Sequence, residues 1–123
     1  MALQESGEMY LESILILSKT KGSVRSIDIS QHLGYSKPSV SRAVGLLKAG
    51  EYIVIDADGF IRLTDSGRTI AESILSRHAV LTELLVRLGV DRETAAADAC
   101  KMEHAISDTS LEAIKRHLEQ ENK

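Results

Sequence analysis

The feature that most constrains this chain is a change in the spacing of its apolar residues near residue 52. Before that point, apolar residues recur at helical spacing in three consecutive stretches, which indicates amphipathic helices. After it, the stretch YIVIDADGFIRL has β-branched residues on both sides of Asp58-Gly59, a dipeptide that favours a tight hairpin turn. We therefore predict three helices followed by a β-hairpin.

Only Gly34 and Tyr35 separate the second predicted helix from the third, which allows a sharp reversal of the chain. Helix, short helix, tight turn, helix and hairpin is the order of a winged helix-turn-helix. Helical spacing then resumes, with a long helix from about residue 65, a helix over residues 91–107 and a last helix near the end. The predicted fold is mainly α, with a winged helix-turn-helix domain over residues 1–72 and an all-helical domain over residues 73–123.

Charge is distributed unevenly, although the net charge is only −3. Six basic residues and one acid lie between Lys19 and Lys48, whereas six basic and nine acidic residues follow from His78 onward. A basic segment of this kind is expected where a chain faces phosphates, but a solvated surface would fit the charge pattern equally well.

The start of the third predicted helix favours double-stranded DNA as the partner, because small hydroxyls and basic side chains suit the major groove and its phosphates. A winged helix used for contact with another protein is the alternative for this half of the chain. The candidate DNA-binding residues are Arg25, Ser36, Lys37, Pro38, Ser39, Ser41 and Arg42.

The stretch CKMEHA, residues 100–105, brings three metal-ligand types together. In a helix, Cys100, Glu103 and His104 stand at positions i, i+3 and i+4, and so project from one face on adjacent turns. Thiolate, carboxylate and imidazole are all common ligands of divalent transition metals. Spacing alone leaves open a buried cysteine beside a surface Glu–His pair.

Several features bear on where this chain works. The longest apolar run, ILIL at residues 14–17, is too short to span a membrane, and the N-terminus lacks a secretory pattern. One cysteine fits a reducing compartment. We therefore expect a cytoplasmic protein with no membrane partner. Outside the candidate ligands only His32 and His117 remain as acid–base groups, so we do not expect an enzyme.

The chain resembles the diphtheria-toxin-repressor family of metal-dependent transcriptional repressors, including its manganese-transport-repressor branch. The resemblance covers nearly the whole length and rests on EMYLESI, SKPSVSRAV, LTDSGR, the dipeptide RH at 77–78 and ACKMEHAISD. It implies a homodimer that binds palindromic operator DNA and controls metal-uptake genes. The second domain would then bind metal and dimerise, and no SH3-like third domain is expected. The implied metal ligands are Met9, Glu12, His78, Cys100, Glu103 and His104.

Departures from the family pattern bear on the metal. Thr82 and Ala96 stand where the iron-responsive branch has the glutamate and histidine of an ancillary site. Met9 and Cys100 stand where the manganese branch has oxygen ligands. Because a thioether and a thiolate are softer donors, the resemblance implies Fe²⁺ first and Mn²⁺ next, with Zn²⁺ or Co²⁺ binding in vitro. The alternative function is a metal-independent winged-helix regulator that senses a small organic effector.

Overall fold

The computed structural model describes residues 5–121. These residues fold into two compact units, and the division between them falls between Glu72 and Ser73, inside the fourth helix. The predicted mainly α fold is confirmed, as is the hairpin after the third helix. The elements are α1 (Glu5–Lys21), α2 (Ser26–Leu33), α3 (Lys37–Ala49), β1 (Ile53–Ile55), β2 (Ile61–Leu63), α4 (Asp65–Arg87), α5 (Arg92–Met102) and α6 (Asp108–Glu121).

The core of the first unit is formed by the apolar faces of its three helices and one face of the hairpin. Leu11 and Leu15 of α1, Ile29 of α2 and Val40 of α3 have no solvent exposure. Burying side chains of this size stabilises the unit by about 1.5–3 kcal/mol each. The spacing of these residues along each helix is the helical spacing read from the sequence, which is why the helices fold as predicted.

The turn between α2 and α3 is fixed by local chemistry. Gly34 adopts the left-handed conformation (φ 73°) and ends α2 by donating its backbone N–H to the carbonyl of Ser30. The hydroxyl of Ser36 accepts a hydrogen bond from the backbone N–H of Ser39 and so caps α3, and Pro38 lies in the first turn of that helix. α3 therefore begins at a well-defined residue.

The two strands pair antiparallel, with Ile53 opposite Leu63 and Ile55 opposite Ile61. Gly59 in the turn has φ 85°, a left-handed conformation that glycine adopts without steric strain. The backbone N–H of Ile61 also donates to the carbonyl of Val24 at 2.7 Å, so the segment before α2 lies along the other edge of β2.

In the second unit, the C-terminal part of α4 packs with α5 and α6. Leu81, Ala99 and Leu111, one from each helix, are buried together. Partly buried apolar side chains surround them: Val80, Met102, Ile106 and Ile114. None of the helices within residues 5–121 combines the length and apolar character needed to cross a lipid bilayer.

The predicted helix over residues 91–107 is too long, because α5 ends at Met102 and residues 103–105 form a turn. The physical reason is Arg77 of α4. Its guanidinium donates to the backbone carbonyls of Glu103 (3.2 Å) and Ile106 (2.7 Å), and the first of these is a group that a helix continuing to residue 107 would use internally. It also pairs with the carboxylate of Asp108 at the start of α6. Glu103 keeps helical angles (φ −61°, ψ −26°), so its placement relative to Cys100 is still that of a helix.

Candidate functional site

The centre of the candidate site in the second unit is Glu103, whose side chain has no solvent exposure. One carboxylate oxygen, Oε2, lies 3.0 Å from Nδ1 of His78 on α4. The other, Oε1, lies 3.4 Å from Nε2 of His104, the next residue along the chain. An ionised carboxylate away from water is stable only beside cationic or hydrogen-bonding groups, and here two imidazoles occupy that position.

Arg77 positions the turn that carries Glu103 and His104. It holds the turn by its backbone through the contacts described above, while the adjacent His78 contacts the Glu103 side chain. The Arg77 side chain is only 15% exposed, so water competes weakly for its hydrogen bonds to the two backbone carbonyls. α4 therefore fixes both the backbone and the side chain of the same residue.

Cys100 lies in the last turn of α5 and is exposed, which distinguishes it from the fully buried Glu103. Across residues 5–121, no group of three or more His, Cys, Asp and Glu side chains has its donor atoms arranged to hold a metal ion together. Glu103 contacts each of the two imidazoles, one through each carboxylate oxygen. The donor set still fits a divalent transition metal, since a buried carboxylate beside two imidazoles supplies the ligand types that such ions prefer.

The two remaining candidate ligands lie on α1 of the first unit. Glu12 is almost fully buried, at 9% exposure, and Met9 is half-buried one turn before it. The thioether of Met9 accepts a hydrogen bond from the hydroxyl of Tyr35 at 3.8 Å. The spacing of ligand-type residues gave no sign that Tyr35 or Arg77 contributes to a site, and Arg77 entered the sequence analysis only through the dipeptide RH at 77–78.

The candidate DNA-binding residues at the start of α3 are exposed. Ser36 caps the helix with its hydroxyl and also donates to the hydroxyl of Ser39 at 2.9 Å. Arg25, just before α2, lies with its guanidinium 4.4 Å from the ring centre of Phe60 in the hairpin loop. The exposed residues of this helix start are Ser36, Lys37, Pro38, Ser39, Ser41 and Arg42.

Comparison with known families places both units in one family. Residues 2–59 match the N-terminal DNA-binding domain of the iron-dependent repressors, and residues 64–122 match their metal-binding and dimerisation domain. The chain belongs to the iron-dependent repressor family. It is thus a metal-dependent, DNA-binding transcriptional repressor, with a DNA-binding domain followed by a helical metal-binding and dimerisation domain. Members of the iron-dependent repressor family are transcriptional regulators rather than enzymes.

Relatives within the iron-dependent repressor family agree with this assignment. The transcriptional regulator MntR of Geobacillus kaustophilus is 34% identical over 109 residues, which is 89% of this chain and 77% of MntR. The diphtheria toxin repressor of Corynebacterium diphtheriae is 30% identical over 107 residues, covering 86% of this chain and 47% of that protein. A solved manganese-dependent transcriptional repressor in complex with manganese superposes with a TM-score of 0.83 at 27% identity, over 91% of this chain and 52% of that one. The resemblance seen in the sequence is confirmed.

Proposed function

We propose that this chain is a cytoplasmic repressor that is activated by a divalent transition metal. As a homodimer it binds palindromic operator DNA and controls metal-uptake genes. The observation that carries the proposal is the buried Glu103 carboxylate with His78 at 3.0 Å and His104 at 3.4 Å. A fully buried acid between two histidines is costly to a fold without a ligand, but natural for a protein whose function is to bind a cation there.

The proposed ligands are Glu103, His78, His104 and Cys100 in the second unit and Met9 and Glu12 in the first. A bound ion supplies positive charge that offsets the buried Glu103 carboxylate. The imidazoles of His78 and His104 supply the nitrogen ligands that such ions prefer. The thioether of Met9 and the thiolate of Cys100 favour Fe²⁺ over Mn²⁺, although named relatives are manganese regulators.

The proposed DNA contacts are those at the start of α3, with Arg25 added from the segment before α2. The exposed first turn of α3 presents hydroxyls and backbone N–H groups suited to phosphates, and Arg42 one turn later can donate two hydrogen bonds to a guanine or a phosphate. In this proposal residues 1–72 bind DNA, and residues 73–123 bind metal and dimerise.

The test is a titration of a labelled operator duplex with the full chain, with saturating Fe²⁺ or Mn²⁺ and with a chelator. We expect metal to tighten DNA binding by about 5–150-fold, the usual range for allosteric coupling. Glu103→Gln and His104→Ala should abolish this gain, whereas the matched control His117→Ala, an exposed histidine of α6, should keep it. DNA affinity that is the same with metal and with chelator would refute metal activation.

A second candidate function has one observation in its favour. A cleft of about 310 Å³ in the first unit is lined by apolar side chains that include Ile14, Val24 and Phe60, with Arg62 and Arg68 also at the wall. Its size is at the lower end for a small-molecule site. A regulator that senses an organic acid in this cleft would respond to that acid and ignore the chelator, which the same DNA titration separates from metal activation.

A further inference from the structure

Tyr35, in the turn between α2 and α3, contacts both α1 and the start of the DNA-reading helix. Its hydroxyl donates to the thioether sulfur of Met9 at 3.8 Å, within reach for a hydrogen bond to the large, weakly accepting sulfur atom. Its ring lies 6.1 Å from that of Tyr10, centre to centre, with the ring planes tilted by 59°. Tyr35 is therefore fixed to two adjacent residues of α1.

The backbone of Tyr35 leads directly into α3. Its carbonyl accepts a hydrogen bond from the hydroxyl of Ser30 at 2.6 Å, and the next residue, Ser36, is the N-cap of α3. A displacement of the Tyr35 side chain that moves its backbone therefore displaces the cap and the first turn of α3. That turn carries most of the candidate DNA contacts.

We propose that Tyr35 is the positioning residue that links the thioether of Met9 to the first turn of α3, and that its hydroxyl competes with a divalent metal for that sulfur. The inference rests on the proposed function, because it takes Met9 to be a ligand. A thioether that donates electron density to a cation is a poorer hydrogen-bond acceptor, so the O–H···S contact and metal binding oppose each other. Release of the contact frees the turn before α3, and in this proposal the released turn is the state that binds DNA.

The environment of the two phenols agrees with a close contact. Burial raises the pKa of Tyr10 above its ordinary value of 10.0, and the neighbouring Tyr35 raises it further by a smaller amount. The Tyr10 phenol is therefore neutral near pH 7. The link depends on a hydrogen bond and not on a change of charge, so it operates at constant pH.

The turn before α3 exists in a tethered state, with the Tyr35–Met9 hydrogen bond, and a released state without it, and metal shifts the population toward the released state. Removing the hydroxyl destabilises the tethered state by the value of one weak hydrogen bond, about a threefold change in the equilibrium. Tyr35→Phe should therefore raise metal affinity about threefold and raise the DNA affinity of metal-free protein about threefold. Because the metal-free protein already binds DNA more tightly, the gain in DNA affinity caused by metal should fall about threefold.

The experiment uses the full chain labelled with ¹³C-methyl methionine, and Zn²⁺ alone as the metal because it is diamagnetic. In metal-free Tyr35→Phe we expect the Met9 methyl resonance to move while that of Met102 stays. Zn²⁺ affinity, measured by competition with a chromophoric chelator, should rise about threefold. Tyr52→Phe is the matched control, as a tyrosine of the same unit whose ring lies beside Gly50, and should change neither value.

Met9→Leu separates the two hypotheses. Weaker Zn²⁺ binding by Met9→Leu supports Met9 as a ligand and leaves the proposed function standing. If Tyr35→Phe then leaves both the Met9 resonance and Zn²⁺ affinity as in the wild type, the role of Tyr35 is refuted. Weaker Zn²⁺ binding by Tyr35→Phe would also refute competition. If Met9→Leu binds Zn²⁺ as tightly as the wild type, Met9 is not a ligand, and both the proposed ligand set and the competition fail. Wild-type protein labelled at Tyr35 Cζ needs no variant, and its resonance should move when Zn²⁺ is added.

Discussion

Single side chains in this protein depend on partners that are distant in the sequence. Arg77 hydrogen-bonds to the backbone of Glu103, 26 positions later, and His78 contacts the carboxylate of that residue. Together they hold an acid in a position from which water is excluded. The candidate site is therefore built around a buried carboxyl group that residues far away in the sequence hold in place.

Replacing Arg77 should affect the site and the fold together. We expect Arg77→Met to lower the free energy of unfolding by about 2–4 kcal/mol, because two carbonyls and the Asp108 carboxylate lose a charged donor. Metal affinity should fall as well, because the turn carrying Glu103 and His104 is no longer held. Chemical denaturation and metal titration give the two values. Arg116→Met, at an exposed arginine of α6, serves as the control and should change neither.

Asp28 makes part of the stability of the first unit depend on pH. Its pKa lies below the ordinary value, first because Lys21 donates a hydrogen bond to it at 2.5 Å and then because the backbone N–H of Arg25 does so at 2.9 Å. A lowered pKa means that the folded state favours the carboxylate. The resulting stability is complete above the unfolded pKa of about 3.9 and is lost as pH falls through the folded value.

Asp28→Asn should remove this pH-dependent contribution. At pH 7 we expect the variant to be less stable than the wild type by about 0.5–1 kcal/mol, since the ion pair is near the surface. The difference should shrink as the pH is lowered from 5 to 3. Urea unfolding across that range measures it, with Asp98→Asn, an exposed acid of α5, as reference. A difference that is constant with pH would show that the charge of Asp28 does not contribute.

At the scale of the elements, α3 and α4 each contain a glycine, and the surroundings of the two are opposite. A Cβ at Gly45 of α3 would meet open space. A Cβ at Gly67, in the first turn of α4, would clash with the backbone carbonyl of Tyr52, the residue before β1. Gly67 is therefore required for the hairpin and α4 to pack closely, whereas Gly45 only weakens its own helix.

Alanine substitutions should separate these two roles. Gly45→Ala should raise the free energy of unfolding by about 0.5–1 kcal/mol, because alanine loses less backbone entropy in a helix. Gly67→Ala should lower it by about 1–3 kcal/mol or more, because the backbone must shift to relieve the clash. Thermal unfolding of the two variants beside the wild type is the measurement. Stabilisation by Gly67→Ala would contradict the packing described between α4 and Tyr52.

At the scale of the whole molecule, the chain has a DNA-binding domain followed by a metal-binding and dimerisation domain, and the proposed function requires that metal binding and DNA binding be coupled. Linkage requires the coupling to be reciprocal. If metal tightens DNA binding by a given factor, saturating operator DNA must tighten metal binding by the same factor. We expect the two measurements to agree, and Arg42→Ala to weaken DNA binding while metal affinity of the DNA-free protein stays as in the wild type. A loss of both would place Arg42 in the fold and not in the DNA interface.

Local chemistry by itself determined much of this protein. Helical spacing identified the helices, Asp58-Gly59 identified the hairpin and Gly34-Tyr35 identified the turn, because these signals arise among residues a few positions apart. Thiol, carboxylate and imidazole in CKMEHA supplied candidate metal ligands, and the resemblance carried in part by the same segment indicated the family.

Only the tertiary structure decided where α5 ends, that Glu103 is buried between His78 and His104, and that Tyr35 contacts Met9. Each of these depends on a contact between residues about 25 positions apart. Periodicity describes which face of a helix is apolar, but it does not describe which distant donor reaches a given carbonyl or sulfur. The partner of a buried polar atom is fixed by packing between elements, and that information is present only once the chain has folded.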